Sequence, residues 1–254
     1  MNVTPDSFSD GGKYTDFEAA VSHAERLVQE GADIIDVGGE SSRPGAQSVT
    51  LGDELNRVKP VIERLASELK VPVSIDTYKS KVAEECLNAG ACIVNDITGL
   101  ADKKLIKVAA EHKVPVVLMH MKGTPQNMQQ NPVYKDVVGE IYNFMRERIA
   151  FAKDLGVDDI IVDPGIGFGK TTEHNLEIIR RLGEFRKLGC PILVGPSRKA
   201  FIGNLTGLPV QDRLEGTLAA VAVAVYNGAN IVRVHDVLEV KRAVQVADAI
   251  KGMR

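Results

Sequence analysis

The chain has 254 residues, of which 44% are hydrophobic and 26% are charged. These proportions are typical of a folded globular protein and exclude a disordered or fibrous chain. The 31 basic and 34 acidic residues nearly balance, and the formal net charge of -3 disfavours a nucleic acid or an anionic membrane as the main partner.

Short apolar runs alternate with longer amphipathic segments along the chain. Nearly continuous apolar runs are typical of parallel strands that are buried on both faces. The predicted strands are 32–37, 72–76, 91–95, 115–120, 160–163, 191–195 and 230–234. The predicted helices are 16–30, 52–69, 79–89, 101–112, 135–155, 173–188, 212–227 and 237–251.

Seven strands and eight helices in this order predict an α/β protein with the (β/α)8 TIM-barrel fold. The chain begins with a polar loop where a strand is expected to have just ended, so the barrel is expected to lack its first strand at the N-terminus. No linker or shift in composition interrupts the pattern, which predicts one domain. The alternative is a doubly wound open sheet, but no run of Lys or Pro is present to protect its edge strands.

Three scattered cysteines, Cys86, Cys92 and Cys190, show no metal-ligand spacing. This pattern favours reduced thiols, and we expect a cytoplasmic protein. The longest apolar run, 218–226, is far shorter than the roughly 20 residues that a membrane helix requires. The N-terminal residues do not resemble a signal peptide.

Polar residues follow the carboxyl ends of the predicted strands, where TIM barrels place their active sites. Asp76, Asn95 and Asp163 are short hydrogen-bond acceptors that suit the N–H edge of a planar heterocycle, and Lys199 is placed to donate to a ring carbonyl. The cationic set Arg43, Arg233 and His235 is suited to a phosphate or diphosphate. The sequence predicts a ligand with a flat polar ring at one end and an anion at the other.

The glycine-rich stretch 165–171 matches neither common nucleotide-binding motif. Only three residues separate Gly165 from the Gly169-Lys170 pair, whereas a P-loop requires four, and the spacing of a dinucleotide fingerprint is also wrong. We interpret the stretch as a barrel loop whose glycines allow close backbone approach, with Phe168 as a candidate lid. His120, at the end of the fourth predicted strand, is interpreted as a ligand, a base or a core histidine.

Eight ordered motifs resemble those of one enzyme family, the dihydropteroate synthases, which are pterin-binding TIM barrels of folate biosynthesis. The motifs are NVTPDSFSDGG (2–12), GGESSRPG (38–45), SIDT (74–77), NDI (95–97), MHMKGTPQNMQ (119–129), DPGIGFGKT (163–171), SRKAFIG (197–203) and RVHDV (233–237). The resemblance implies a single pterin-binding domain over 1–254. It also implies a transferase that joins 4-aminobenzoate to 6-hydroxymethyl-7,8-dihydropterin diphosphate, releases diphosphate, uses Mg²⁺, forms a homodimer and is a target of sulfonamides.

The resemblance also implies roles for individual residues. The pterin would be bound by Asp76, Asn95, Asp163, Phe168 and Lys199. The diphosphate would be bound by Asn2, Arg43, Arg233 and His235, and Asn2 would also hold the metal. The aminobenzoate would lie against Phe8, Ser42, Pro44 and Ala200. The catalytic set would be Asp10, Lys199, Arg233 and His235.

Two positions depart from the usual pattern of the family. Many members have Ser where this chain has Ala200, and its hydroxyl contacts the aminobenzoate carboxylate. Here that carboxylate is expected to rely on backbone N–H groups at a helix N-terminus, which predicts weaker binding of aminobenzoate and sulfonamides. Ser42 replaces the usual Thr and keeps the hydroxyl.

Two other functions share the barrel and the acidic pocket. One is a methyltransferase that passes a methyl group from methyltetrahydrofolate to a corrinoid, and the other is a pterin-binding homologue without turnover. The synthase is favoured by three features, namely the first motif (2–12), the Ser197-Arg198-Lys199 triplet and the RVH sequence (233–235).

Overall fold

The structure, a computed structural model, describes residues 1–3 and 13–252. In this part of the chain, seven parallel strands alternate with nine α-helices. The strands are Ile35–Gly38 (β1), Val73–Asp76 (β2), Ile93–Asp96 (β3), Val116–Met119 (β4), Ile160–Asp163 (β5), Leu193–Val194 (β6) and Ile231–Val232 (β7). The helices are Lys13–Gln29 (α1), Leu51–Glu68 (α2), Ser80–Asn88 (α3), Lys103–His112 (α4), Val137–Asp154 (α5), Thr172–Arg180 (α6), Ala200–Thr206 (α7), Leu214–Asn227 (α8) and Val237–Lys251 (α9).

The strands follow one another around the barrel in sequence order. β1 to β5 form one parallel sheet, and β6 pairs with β7. A bridge between Val162 and Ile192 connects β5 to the segment that leads into β6. This order, with a helix after each strand, is the predicted α/β barrel.

The N-terminal residues Met1 to Val3 pair with the end of β1. The Val3 amide donates to the Gly38 carbonyl (2.8 Å), and the Gly38 amide donates to the Met1 carbonyl (3.0 Å). Among the described residues, the Asn2–Gly38 bridge is the only strand-type pairing on this side of β1. A cavity of about 1020 Å³ opens on this side and reaches the interior of the barrel.

Residues on both faces of β1 to β6 are buried, which explains why the apolar runs show little alternation. Both residues of β7 are half-buried. Ile93, Val117 and Leu193 pack inside the barrel. Val94 and Leu118, their neighbours in the chain, belong instead to the main core that includes residues of the surrounding helices. The apolar layer inside the barrel forms the floor beneath the polar residues at its carboxyl end.

Three details of the predicted secondary structure were wrong. The predicted helix 173–188 ends at Arg180 and continues as a 3-10 helix, Leu182–Leu188, in a segment where Gly183 weakens α-helix propensity. The helix Ala200–Thr206 was not predicted, because seven residues are too few to show helical periodicity. Most of the strands are also shorter than the apolar runs that predicted them.

Candidate functional site

The polar site lies directly above the apolar layer inside the barrel. Side chains in a strand alternate between its two faces, so a residue two positions after an inward apolar residue also points inward. Asn95 follows Ile93 in this way, and Asp163 follows Ile161. The same two-residue step places Asp36 after Ile34, within β1, and Arg233 after Ile231, directly beyond β7, while Asp76 is the last residue of β2.

Arg233 connects two of these carboxylates. Its Nε donates to Oδ2 of Asp36 over 2.7 Å, and its Nη2 donates to Oδ2 of Asp76 over 2.9 Å. The amide nitrogen of Asn95 donates to the same Oδ2 of Asp36 over 3.1 Å. The predicted heterocycle-binding and anion-binding residues therefore form one connected network rather than two separate groups.

The two carboxyl groups that bind Arg233, those of Asp36 and Asp76, have different pKa values. Burial, together with the nearby charge of Asp36, raises the pKa of Asp76 to about 7. Burial is the largest single effect on Asp36 and opposes its ionisation, but the positive charges of Arg233 and the N-terminal ammonium, together with side-chain hydrogen bonds, outweigh it and lower the pKa of that carboxyl. Asp36 therefore keeps its negative charge beside the guanidinium, whereas Asp76 gains or loses a proton near neutral pH.

Asp163 and Lys199 form the opposite side of the site. Oδ1 of Asp163 accepts the Gly165 amide (2.7 Å), and burial raises the pKa of this carboxyl. The ammonium of Lys199 donates to the Ile166 carbonyl (2.9 Å) and lies 4.1 Å from the centre of the Phe168 ring. Burial lowers the pKa of Lys199 to about 8.

His235 is held by the hydroxyl of Ser197. The Ser197 oxygen lies 2.8 Å from Nδ1 of His235 and accepts the His235 amide over 3.2 Å. Desolvation and the charge of Arg233 lower the pKa of His235 to about 4, so the imidazole is neutral at pH 7. In the tautomer in which the Ser197 hydroxyl donates to Nδ1, the ring proton is on Nε2 and is available to a ligand.

The four residues predicted to hold an anion line the same cavity. Asn2, Arg43, Arg233 and His235 all contribute to its wall, together with Asp36. One oxygen of Asp36, Oδ1, is buried and has no hydrogen-bond partner within the described part of the chain. An unpaired buried oxygen is costly unless a ligand, an ion or a water satisfies it.

The loop after β1 carries Ser42, which is half-buried, and Arg43 and Pro44, which are exposed. Its base is fixed by Glu40, which accepts the Tyr78 hydroxyl over 2.7 Å and forms an ion pair with Lys79. The loop also reaches the β4 loop, where the Gly45 amide donates to the Pro125 carbonyl over 3.0 Å.

Of the remaining residues predicted for aminobenzoate binding and catalysis, the structure describes Ala200 but not Phe8 or Asp10. Ala200 is the exposed first residue of α7 and directly follows Lys199. Phe8 and Asp10 lie outside the described residues, and their predicted roles remain predictions.

Three residues of the site were not given a role from sequence. Asp36 was visible as a polar residue at a strand end, the same signal that identified Asp76. Ser197 acts through His235, and Lys170 is a buried lysine that binds His120. The contacts of Ser197 and Lys170 join residues far apart in the chain, so no local pattern identifies these two residues.

The described residues contain no group of three or more His, Cys, Asp or Glu side chains placed to hold a metal ion. Mg²⁺ commonly takes only one or two protein oxygens and completes its shell with phosphate and water. Asn2 and Asp36 both line the cavity, and their side-chain oxygens are of the kind that such an ion binds. Separately, none of the helices in 13–252 has the length and hydropathy of a membrane span.

The chain is similar to known proteins in both sequence and fold. A model of the family described as "Pterin binding enzyme" matches residues 1–235. The dihydropteroate synthase of Synechocystis is 48% identical over 254 residues, which cover 98% of this chain and 88% of that protein. The structure of the Xanthomonas albilineans dihydropteroate synthase with 4-aminobenzoic acid is 45% identical, with a TM-score of 0.93 over 100% of this chain and 92% of that one. The Yersinia pestis enzyme with a sulfonamide drug complex is 42% identical, with a TM-score of 0.94 over 99% and 92% of the two chains.

Proposed function

Because this chain belongs to the dihydropteroate synthase family of pterin-binding enzymes, we propose that it condenses 4-aminobenzoate with 6-hydroxymethyl-7,8-dihydropterin diphosphate. The products are 7,8-dihydropteroate and diphosphate. The observation that carries the proposal is the network of Asp36, Asp76 and Asn95 around Arg233, which places ring-binding acceptors beside an anion-binding cation.

The pterin ring is the natural ligand of the acidic side of the site. Its amino and ring N–H groups are donors on one edge, and Asp76, Asn95 and Asp163 present acceptors that match them. Lys199 supplies a donor for the ring carbonyl, and the half-buried Phe168 ring lies beside the ammonium. Because these residues come from rigid strand ends, they hold the ring with little loss of conformational entropy.

The diphosphate group belongs beside Arg233, His235, Arg43 and Asn2. The bidentate guanidinium of Arg233 suits phosphate oxygens, and the neutral His235 donates a further hydrogen bond from Nε2. Mg²⁺ bound by Asn2, and by Asp36 if its free oxygen is used, would neutralise charge on the departing diphosphate.

The chemistry requires positioning and charge stabilisation but no covalent enzyme intermediate. The bond between C9 of the pterin and the diphosphate oxygen breaks first, and the dihydropterin ring delocalises the positive charge that develops on C9. The buried carboxylates of Asp76 and Asp163 stabilise this cation. The neutral amine of aminobenzoate then attacks C9 and loses a proton.

The aminobenzoate is assigned to the space between the β1 loop and the start of α7. Ser42 and Pro44 belong to the first of these segments and Ala200 to the second. Phe8 and Asp10 are proposed to complete this subsite from the first loop. The Xanthomonas albilineans relative has been solved with 4-aminobenzoic acid, which supports a subsite for this substrate in a closely similar barrel.

We further propose a cytoplasmic homodimer. Its interface is expected on α8 and α9, which expose Val223, Tyr226, Val246 and Ile250 by 48% to 72%. Exposed apolar residues grouped on neighbouring helices are typical of interfaces between subunits. The free cysteines Cys86, Cys92 and Cys190 are consistent with a reducing compartment.

The test is an assay of the purified chain with both substrates and Mg²⁺, in which dihydropteroate and diphosphate are quantified in parallel. We expect equal amounts of the two products. The matched control is Asp76→Asn, which keeps the shape of the side chain but removes the carboxylate and should abolish pterin binding. Binding of the pterin diphosphate without formation of product would identify a non-catalytic homologue and overturn the proposal.

A further inference from the structure

Lys170 is a buried lysine next to the site that the chemistry above does not use. It is the last residue of the glycine-rich loop that follows β5, and only 3% of its surface is exposed. Lysines are almost never buried this deeply unless a partner satisfies the charge. Within the described residues, no carboxylate forms an ion pair with it, so its partners must be neutral acceptors.

Three such acceptors surround the ammonium. Nζ lies 3.0 Å from Nδ1 of His120, 3.3 Å from the His120 carbonyl and 2.9 Å from the Phe168 carbonyl. An ammonium group has three N–H donors and no acceptor, so each donor has one partner. The His120 imidazole must accept at Nδ1, and its own proton is therefore on Nε2.

The imidazole is held firmly in this accepting role. The ring packs edge-on against Phe144, with 5.0 Å between the ring centres. Burial and the positive charge of Lys170 lower the pKa of His120 to about 3, so it stays neutral. Burial lowers the pKa of Lys170 itself to about 7, while the nearby carboxylate of Asp163 favours the charged form.

The contacts of Lys170 join the ends of two strands. His120 follows β4, whereas Phe168 belongs to the loop after β5. The two segments touch at Gly165, where a Cβ atom would lie 2.0 Å from the His120 carbonyl oxygen and φ is +71°. Such close packing of the two backbones therefore requires glycine at this position.

The loop that Lys170 holds also holds Lys199. The Ile166 carbonyl accepts from the Lys199 ammonium, and the Phe168 ring lies under it. At Gly167, a Cβ atom would lie 2.9 Å from Cδ of Lys199. The position of Lys199 therefore depends on the backbone of residues 166 to 168.

We propose that Lys170 is a positioning residue for the pterin subsite: its ammonium fixes the loop after β5 against His120 and thereby places Phe168 and Lys199 against the pterin ring. This inference rests on the proposed function for the identity of the ligand. Lys170 itself does not contact the substrate. Its loss should weaken the binding of the pterin and leave the binding of aminobenzoate unchanged.

The test compares Lys170→Met with Tyr134→Phe. The methionine keeps the length of the side chain and removes all three donors. Tyr134→Phe removes one hydrogen bond to the same loop, from the tyrosine hydroxyl to the Gly169 carbonyl (2.8 Å), outside residues 166 to 168, which contact Lys199. The dissociation constant of the pterin diphosphate, the KM for each substrate, kcat and the melting temperature are measured for the wild type and both variants.

For Lys170→Met, we expect the dissociation constant and the KM for the pterin diphosphate to rise by about tenfold or more, the scale of one lost charge-assisted hydrogen bond. The KM for aminobenzoate should stay near the wild-type value, and Tyr134→Phe should affect pterin binding much less. An unchanged dissociation constant, or equal rises in both KM values, would overturn the inference.

A second variant covers the case in which Lys170→Met does not fold. His120→Leu removes the Nδ1 acceptor but leaves both backbone carbonyls in place, and it should weaken pterin binding selectively but less strongly. Equal binding by His120→Leu and the wild type would then overturn the inference. If the wild type itself neither binds the pterin diphosphate nor forms dihydropteroate, it is the proposed function that fails, so the two failures are distinguishable.

Discussion

Nη2 of Arg233 donates to Oδ2 of Asp76 across 2.9 Å, although the two residues are 157 positions apart in the chain. Nε of the same guanidinium binds Asp36. The cation expected at the diphosphate therefore also neutralises a carboxylate expected at the pterin. The binding of one half of the substrate is thus coupled to the binding of the other half.

Arg233→Ala is consequently expected to weaken the binding of both halves of the substrate. Without the guanidinium, Asp36 and Asp76 are neighbouring buried carboxyls that cannot both ionise easily, and a protonated carboxyl is a poorer acceptor for the pterin edge. We expect the pterin diphosphate to bind roughly 10- to 100-fold more weakly. Free 6-hydroxymethylpterin, which carries no diphosphate, should also lose affinity.

Calorimetric titration with both ligands checks this prediction, with Arg43→Ala as the matched control. Arg43 lines the cavity but is exposed, and its side chain forms no ion pair within the described residues. Arg43→Ala should therefore weaken only the binding of the diphosphate compound. If free pterin bound Arg233→Ala as tightly as the wild type, the proposed coupling would be wrong.

A second prediction concerns the pH dependence of stability. The pKa of Asp76 is raised from 3.8 to about 7, mainly by burial. The native state therefore keeps a proton that the unfolded chain releases at lower pH. This proton stabilises the native state fully below pH 3.8, the pKa of Asp76 in the unfolded chain. The stabilisation is lost as the pH rises through about 7, the pKa in the native state.

The Asp76→Asn variant has no titratable group at this position, so its free energy of unfolding should depend less on pH than that of the wild type. Measured by thermal unfolding from acidic to neutral pH, the melting temperature of the variant should rise relative to that of the wild type as the pH increases. Asp158→Asn, at an exposed residue, gives the baseline for loss of a surface carboxylate. Parallel pH profiles for Asp76→Asn and the wild type would contradict the raised pKa.

The architecture was largely predictable because local patterns encode it. All seven predicted strands are present, and each polar strand end was identified because polar residues directly follow the apolar runs. The helix Ala200–Thr206 escaped detection because it is too short to show a period. The break after Arg180 was missed because the helical pattern continues through the 3-10 segment.

The connections within the site were not predictable in the same way. Asp76 and Arg233 were identified individually, but their pairing depends on the closure of the barrel and not on sequence spacing. The same holds for Lys170, whose side chain resembles any loop lysine until the fold brings His120 against it. Chemistry at a single position can be inferred from sequence, whereas burial and pairing across strands require the structure.

A third prediction concerns assembly. Val223 and Val246, on α8 and α9, are exposed by 48% and 60%, and an interface between subunits would cover them. Replacing both with Glu should place like charges in that interface and convert the proposed dimer to a monomer. Light scattering coupled to size exclusion measures the mass directly. Val133→Glu is the control, because Val133 is a loop residue that is 63% exposed and lies outside α8 and α9. If the wild type is already a monomer, the proposed dimer is wrong.

The last prediction concerns the residue after Lys199. Ala200 begins α7 and is exposed, so a hydroxyl at this position can reach a ligand without displacing core atoms. Ala200→Ser should add a hydrogen bond to the aminobenzoate carboxylate, which corresponds to roughly tenfold tighter binding of aminobenzoate. The affinity for a sulfonamide should increase by a similar factor. The KM for the pterin diphosphate should not change and serves as the internal control. Titration of the enzyme with aminobenzoate in the presence of pterin and diphosphate provides the measurement. An unchanged dissociation constant would mean that the backbone N–H groups at the start of α7 already satisfy the carboxylate, or that the carboxylate binds elsewhere.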